Sequence, residues 1–123
     1  QRHHSYRRLR RFLDFIDAGL DAPVLIAEAA AHASVSMDTL ARLVLEVFHV
    51  TPKQLLMKKR IDKACQLLEE TQASITEVSA ACGYADHSAF SRQFKVATNM
   101  TPAQYRAARR DYAENRNPVR RTF

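Results

Sequence analysis

Glycine and proline are scarce here: 2 and 4 in a chain of 123 residues. An all-β sandwich or barrel wants turn residues roughly every 8–12 positions, so this scarcity excludes one. It also excludes a glycine-rich loop that cradles phosphate. Cysteine is rarer still. Cys65 and Cys82 stand far apart, outside any Cys-x-x-Cys spacing, and both fall at apolar positions of helical patterns. They read as reduced, buried, small hydrophobes of a cytoplasmic protein, not as a disulfide framework or a zinc site. No apolar run approaches the ~20 residues of a membrane helix, and no signal-peptide pattern opens the chain. Acidic residues are outnumbered by basic ones, 13 to 19, which leaves a formal net charge of +6. A basic excess attracts polyanions, nucleic acid first. Solubility alone would also explain it, so charge does not decide.

Catalysis finds no support. The five histidines are dispersed: His3 and His4 at the start, His32 and His49 near helix ends, His87 on an exposed face. No paired acids accompany them. No cofactor and no metal is expected.

What is present is helical periodicity. Leu9, Phe12, Leu13, Ile16 and Leu20 make an i, i+3, i+4, i+7 stripe between Tyr6 and Leu20, flanked by Arg7, Arg8, Arg10 and Arg11. An alanine-rich helix over 25–33 follows. Ser36 then caps a helix from Met37 to about Phe48, with Leu40, Leu43, Val44 and Val47 as its expected buried stripe. Thr51-Pro52-Lys53-Gln54 is a capping box with proline at the first helical position, and opens a helix to about Thr71. Met57, Ile61, Ala64, Cys65 and Leu68 form its inner face, and Lys53 and Lys59 are candidate phosphate contacts. Ser74-Ile75-Thr76-Glu77 opens a short helix to Ala81, Asp86 caps one over 87–97, and Thr101-Pro102-Ala103-Gln104 opens a last one to about Arg110. The expected organisation is residues 1–51, a linker helix over 52–71, a second unit over 72–112, and a basic flexible tail over 113–123.

The chain repeats itself. The Thr-Pro-x-Gln boxes at Thr51 and Thr101 are 50 residues apart, and the same offset pairs Ser36 with Asp86, Leu40 with Phe90, Arg42 with Arg92, Val44 with Phe94 and Leu55 with Tyr105. The upstream short helices match with about one residue of slip in the turn. Two short helices joined by a tight turn describe a helix-turn-helix, and a unit of this length used twice is a supersecondary repeat. A generic helical bundle explains the periodicity but not the matched arginines and boxes.

On a wheel of about 100° per residue, Phe90, Phe94 and Ala97 gather on one side of the second copy. His87, Ser88, Ser91, Arg92 and Lys95 gather on the other. These side chains suit base edges and phosphates in a major groove, and Arg92 suits guanine O6 and N7. The first copy turns Met37, Asp38, Ala41, Arg42 and Leu45 outward. That face is poorer: Arg42 is its one donor, Asp38 can accept from cytosine N4, and Ala41 and Met37 can touch a thymine methyl. A linker helix over 52–71 spans roughly 30 Å. One turn of B-DNA is about 34 Å, so one chain is expected to fill two successive major grooves. The alternative is a basic helical module that docks on an acidic protein without reading DNA.

The motifs resemble those of the AraC/XylS family of transcription regulators. They are Cys82-Gly83-Tyr84, then Phe90-Ser91-Arg92-Gln93-Phe94-Lys95, then Asn99-Met100-Thr101-Pro102 and Tyr105-Arg106, preceded by Ile75-Thr76-Glu77-Val78. The resemblance covers about residues 6–110. It implies an all-α, seven-helix module of two subdomains on one long helix, located in the cytoplasm on the nucleoid. It implies binding to double-stranded promoter DNA, contact with RNA polymerase and, usually, activation of transcription. By position it places base contacts on Asp38, Ala41 and Arg42, and on His87, Ser88, Ser91 and Arg92. Ser34, His49 and Asn99 stand where such a chain usually has glycine, and Val44 where it has phenylalanine. Because the first residue is Gln1 and not methionine, an effector-binding or dimerisation domain is expected upstream.

Overall fold

The structure, a computed structural model, describes residues 2–115; most of the expected tail, residues 116–123, lies outside them. Seven α-helices and no strand occur among the described residues: α1 (Arg2–Ala18), α2 (Ile26–His32), α3 (Met37–Phe48), α4 (Pro52–Glu70), α5 (Ile75–Ala81), α6 (His87–Thr98) and α7 (Pro102–Asn115). The chain divides within α4, between Arg60 and Ile61, into two compact units.

The first unit is built on small residues. Ala29, Ala30 and Ala33 are buried against the Leu9, Phe12 and Ile16 stripe of α1. Side chains this short let α2 come close to its neighbour, and α3 closes the core with Leu40, Leu43 and Val44. Two basic groups of α4 are tied down here: Lys59 Nζ binds Asp17 at 2.8 Å and Arg60 Nη2 donates to the Ala22 carbonyl at 3.1 Å.

The second unit packs Ile61, Ala64 and Leu68 of α4 against Val78, Cys82, Phe90 and Phe94. Cys82 is buried and Cys65 half-buried; neither forms a disulfide. An aromatic chain runs through this core. Ring centroids are 5.2 Å apart for Tyr84 and Phe90, 5.7 Å for Phe90 and Phe94, and 5.5 Å for Phe94 and Tyr105, the last edge to face. Such pairs add to area burial.

Two expected core positions are exposed. Val47 at the end of α3 is 41% exposed, and Ala97 at the end of α6 is exposed as well. They are equivalent positions of the repeat. In each copy the last turn of the second helix runs past the edge of the core, so the periodicity continues where nothing lies beneath it.

Both helix-turn-helix turns share one hydrogen-bond pattern. After α5, Gly83 N donates to Ala80 O and Tyr84 N to Ser79 O, each at 3.1 Å. After α2, Ser34 N donates to Ala31 O at 3.0 Å and Val35 N to Ala30 O at 3.1 Å. This is the Schellman arrangement, which places its central residue in the left-handed region. Gly83 has φ 84° and Ser34 has φ 60°. The caps of α3 and α6 repeat the demand, with His49 and Asn99 both at φ 63°. All three expected departures from glycine therefore occupy left-handed backbone. A left-handed L-residue is strained by roughly 1–2 kcal/mol, and glycine gives back about 0.4–1 kcal/mol through unfolded-chain entropy. Ser34→Gly and His49→Gly should each stabilise by about 0.5–1 kcal/mol, and Asn99→Gly by less, because asparagine tolerates this region. Thermal melts of the three variants check the order.

The capping boxes form as read. Gln54 N donates to Thr51 Oγ1 at 3.1 Å and Thr51 N to Gln54 Oε1 at 2.9 Å; the Thr101–Gln104 pair repeats this at 3.1 and 3.0 Å. At α5, Ser74 and Glu77 exchange two bonds of 3.0 Å. The backbone bond from Ser74, then that from its side chain, holds the Glu77 carboxyl below the usual range.

Candidate nucleic-acid interface

Each unit positions one second helix as its outward face. On α6, Asp86 accepts from Ser88 N at 2.8 Å and fixes the first turn. Phe90 and Phe94, both fully buried, then clamp the inner side, and Gln93 accepts from the Tyr84 hydroxyl. With the helix so held, His87, Ser88, Arg92 and Lys95 are exposed on the opposite side and Ser91 is half-buried among them. On α3, Ser36 accepts from Thr39 N at 3.1 Å, Leu40 and Val44 are buried, and Asp38, Ala41 and Arg42 are exposed. The structure therefore brings the residues singled out on each helix onto one exposed face per unit.

The charges on these faces are uncommitted. The side chains of Asp38, Arg42, His87, Ser88, Ser91, Arg92 and Lys95 make no hydrogen bond or ion pair among the described residues. Asp38 and Arg42, one turn apart, do not pair with each other. Most basic residues of α4 and α7 behave differently. Besides Lys59 and Arg60, Lys63 Nζ donates to the Ala81 carbonyl at 2.8 Å. Arg106 Nε donates to Leu68 O at 3.0 Å, and Arg110 Nη2 to Gln72 Oε1 at 3.0 Å. Arg109 donates to Glu69 Oε1 at 3.2 Å. Glu69 also accepts from the Tyr105 hydroxyl at 2.7 Å. Burial first, and then this bond, pushes the Tyr105 pKa up.

This docking of α7 on α4 escaped the sequence reading. Its signal is the 106, 109, 110 spacing of arginines, one helical face, opposite Glu69 some 40 residues earlier. Without the fold, nothing links the two. Lys59, a candidate phosphate contact, belongs in the same group, because Asp17 holds it; Lys53 remains exposed. No cluster of three or more metal-ligating side chains occurs among the described residues.

Two helix-turn-helix units, each with an outward second helix, define the class of the fold. A family model described as "Helix-turn-helix domain" matches residues 29–108. Among curated proteins, the HTH-type transcriptional regulator GbdR of Pseudomonas aeruginosa is 30% identical over 99 residues, 80% of this chain and 27% of that protein. CdhR of the same species is 33% identical over 103 residues, 84% of this chain and 31% of that protein. Among solved structures, an AraC-type transcriptional regulator from Chromobacterium violaceum superposes with a TM-score of 0.79 at 28% identity, over 85% of this chain and 94% of that one. The DNA-binding domain of AdpA, solved in complex with a target DNA, gives 0.77 at 28% identity, over 89% and 96%. The chain belongs to the AraC-type helix-turn-helix family, whose members here are transcription regulators and not enzymes. It spans under a third of the length of GbdR and CdhR.

Proposed function

We propose that this chain binds double-stranded promoter DNA with sequence preference, setting α3 and α6 in successive major grooves, and so regulates transcription as an activator. The observation that carries this is the division of its positive charge. Lys59, Lys63 and Arg106 on α4 and α7 bind a carboxylate and carbonyls of the chain, whereas Arg42, Arg92 and Lys95 on the two outward faces have no partner among the described residues. Base readout falls to Arg42, Asp38 and Ala41 on α3 and to His87, Ser88, Ser91 and Arg92 on α6, with Lys95 set for phosphate. The likeness to a DNA-bound domain supports the duplex as ligand. Activation is supported by RhaS of Escherichia coli, an HTH-type transcriptional activator 31% identical over 106 residues; RNA polymerase as partner and the cytoplasm as location follow from the activator reading.

The test is binding to duplex DNA across a salt series, with footprinting of selected sites. Affinity should fall linearly on a log–log plot against salt, and protection should cover about two turns. Absence of binding at low salt would leave only the acidic-protein module.

A further inference from the structure

The two outward helices offer a groove different chemistry. On α6, His87, Ser88, Ser91, Arg92 and Lys95 offer donors and acceptors, and the exposed Val96 lies beyond Arg92. The face of α3 carries Met37, 47% exposed, and Leu45, 58% exposed, with Ala41 between them. These are not core residues left uncovered. The core stripe of α3, Leu40, Leu43 and Val44, occupies the adjoining arc: Val44 lies about 20° from Met37, and Leu45 stands about 100° from Val44. At 100° per residue, Met37, Ala41 and Leu45 fall within about 80° of arc, and Asp38 and Arg42 lie just beyond. An apolar edge therefore runs alongside a polar one.

The polar edge says what covers the apolar one. Arg42 and Asp38 stand exposed beside it, with no partner among the described residues, in the helix that the repeat equates with α6. The major groove offers such an edge one apolar counterpart, the 5-methyl group of thymine. We propose that the first unit reads its half-site through thymine methyl groups, contacted by Met37, Ala41 and Leu45, with Arg42 fixing a neighbouring guanine. The second unit reads hydrogen-bonding edges instead. This rests on the DNA-binding reading above and adds the bases that the first unit takes.

The experiment uses the whole chain and sites selected from random duplexes. Arg42→Ala marks the first unit's half-site by the preference it removes. Thymines there are then replaced by deoxyuridine, which deletes the methyl group and nothing else. Each contacted methyl lost should weaken binding about fourfold. In a Met37→Ala/Leu45→Ala variant, whose substituted side chains are exposed, the loss should vanish at every thymine except one contacted by Ala41, and deoxyuridine in the other half-site should have no comparable effect. Equal affinity for thymine and deoxyuridine, or the same loss in the double variant, overturns the methyl reading while sequence-specific binding stands. A selection that returns no preferred sequence overturns both.

Discussion

Phe94→Ala is expected to remove about 3–5 kcal/mol from the second unit, the usual range for deleting a buried phenylalanine. The ring is fully buried. It packs against the ring of Phe90 and, edge to face, against that of Tyr105, so its removal opens space beside two other rings. Whole domains are stable by only about 5–15 kcal/mol, which makes this one change a large part of what holds α5, α6 and α7 together. A shift in urea midpoint and lost amide protection across α5–α7 are the readouts. A loss below about 1 kcal/mol would mean that the site relaxes and that the aromatic chain does not hold α6.

Arg92→Ala carries the largest expected effect on binding. It should cost about 1–3 kcal/mol at the preferred sequence, roughly 5- to 150-fold in affinity, and relax preference at the guanine it contacts. Stability should hardly change, because Arg92 is exposed and has no partner among the described residues. That separation of readouts sets it against Phe94, where binding fails only because the helix is lost. Lys95→Ala is the contrast within the same helix: a phosphate contact should weaken all sequences alike and reduce the salt slope by about one. Gel shifts on matched and scrambled duplexes decide. If Arg92→Ala lowers both equally, the guanidinium is a phosphate contact and not a reader.

What could be read from the sequence was local. Capping boxes act over three residues, so Thr51–Gln54, Ser74–Glu77 and Thr101–Gln104 were visible as strings. The core stripes of α1, α3 and α6 followed from periodicity, which also overreached by one turn at Val47 and Ala97, because a pattern does not know where its partner ends. Ser34, His49 and Asn99 were marked as left-handed positions only through the family resemblance, which sets glycine at each. The outward faces were legible as the complement of the core. The fates of individual cations were not. Lys59 and Arg92 look alike in a sequence, and only the fold brings Asp17 to one and, among the described residues, nothing to the other.

The overhanging last turns of α3 and α6 have a use of their own. Val96 is 84% exposed and Leu45 58%, and the core ends before either helix does. Substitutions at such positions usually move stability by no more than about 0.5 kcal/mol. The overhang is thus a part of each reading helix whose side chains can drift without disturbing the scaffold. New operator preferences can accumulate there by single substitutions, while Phe90, Phe94 and the alanines of α2 keep the frame unchanged.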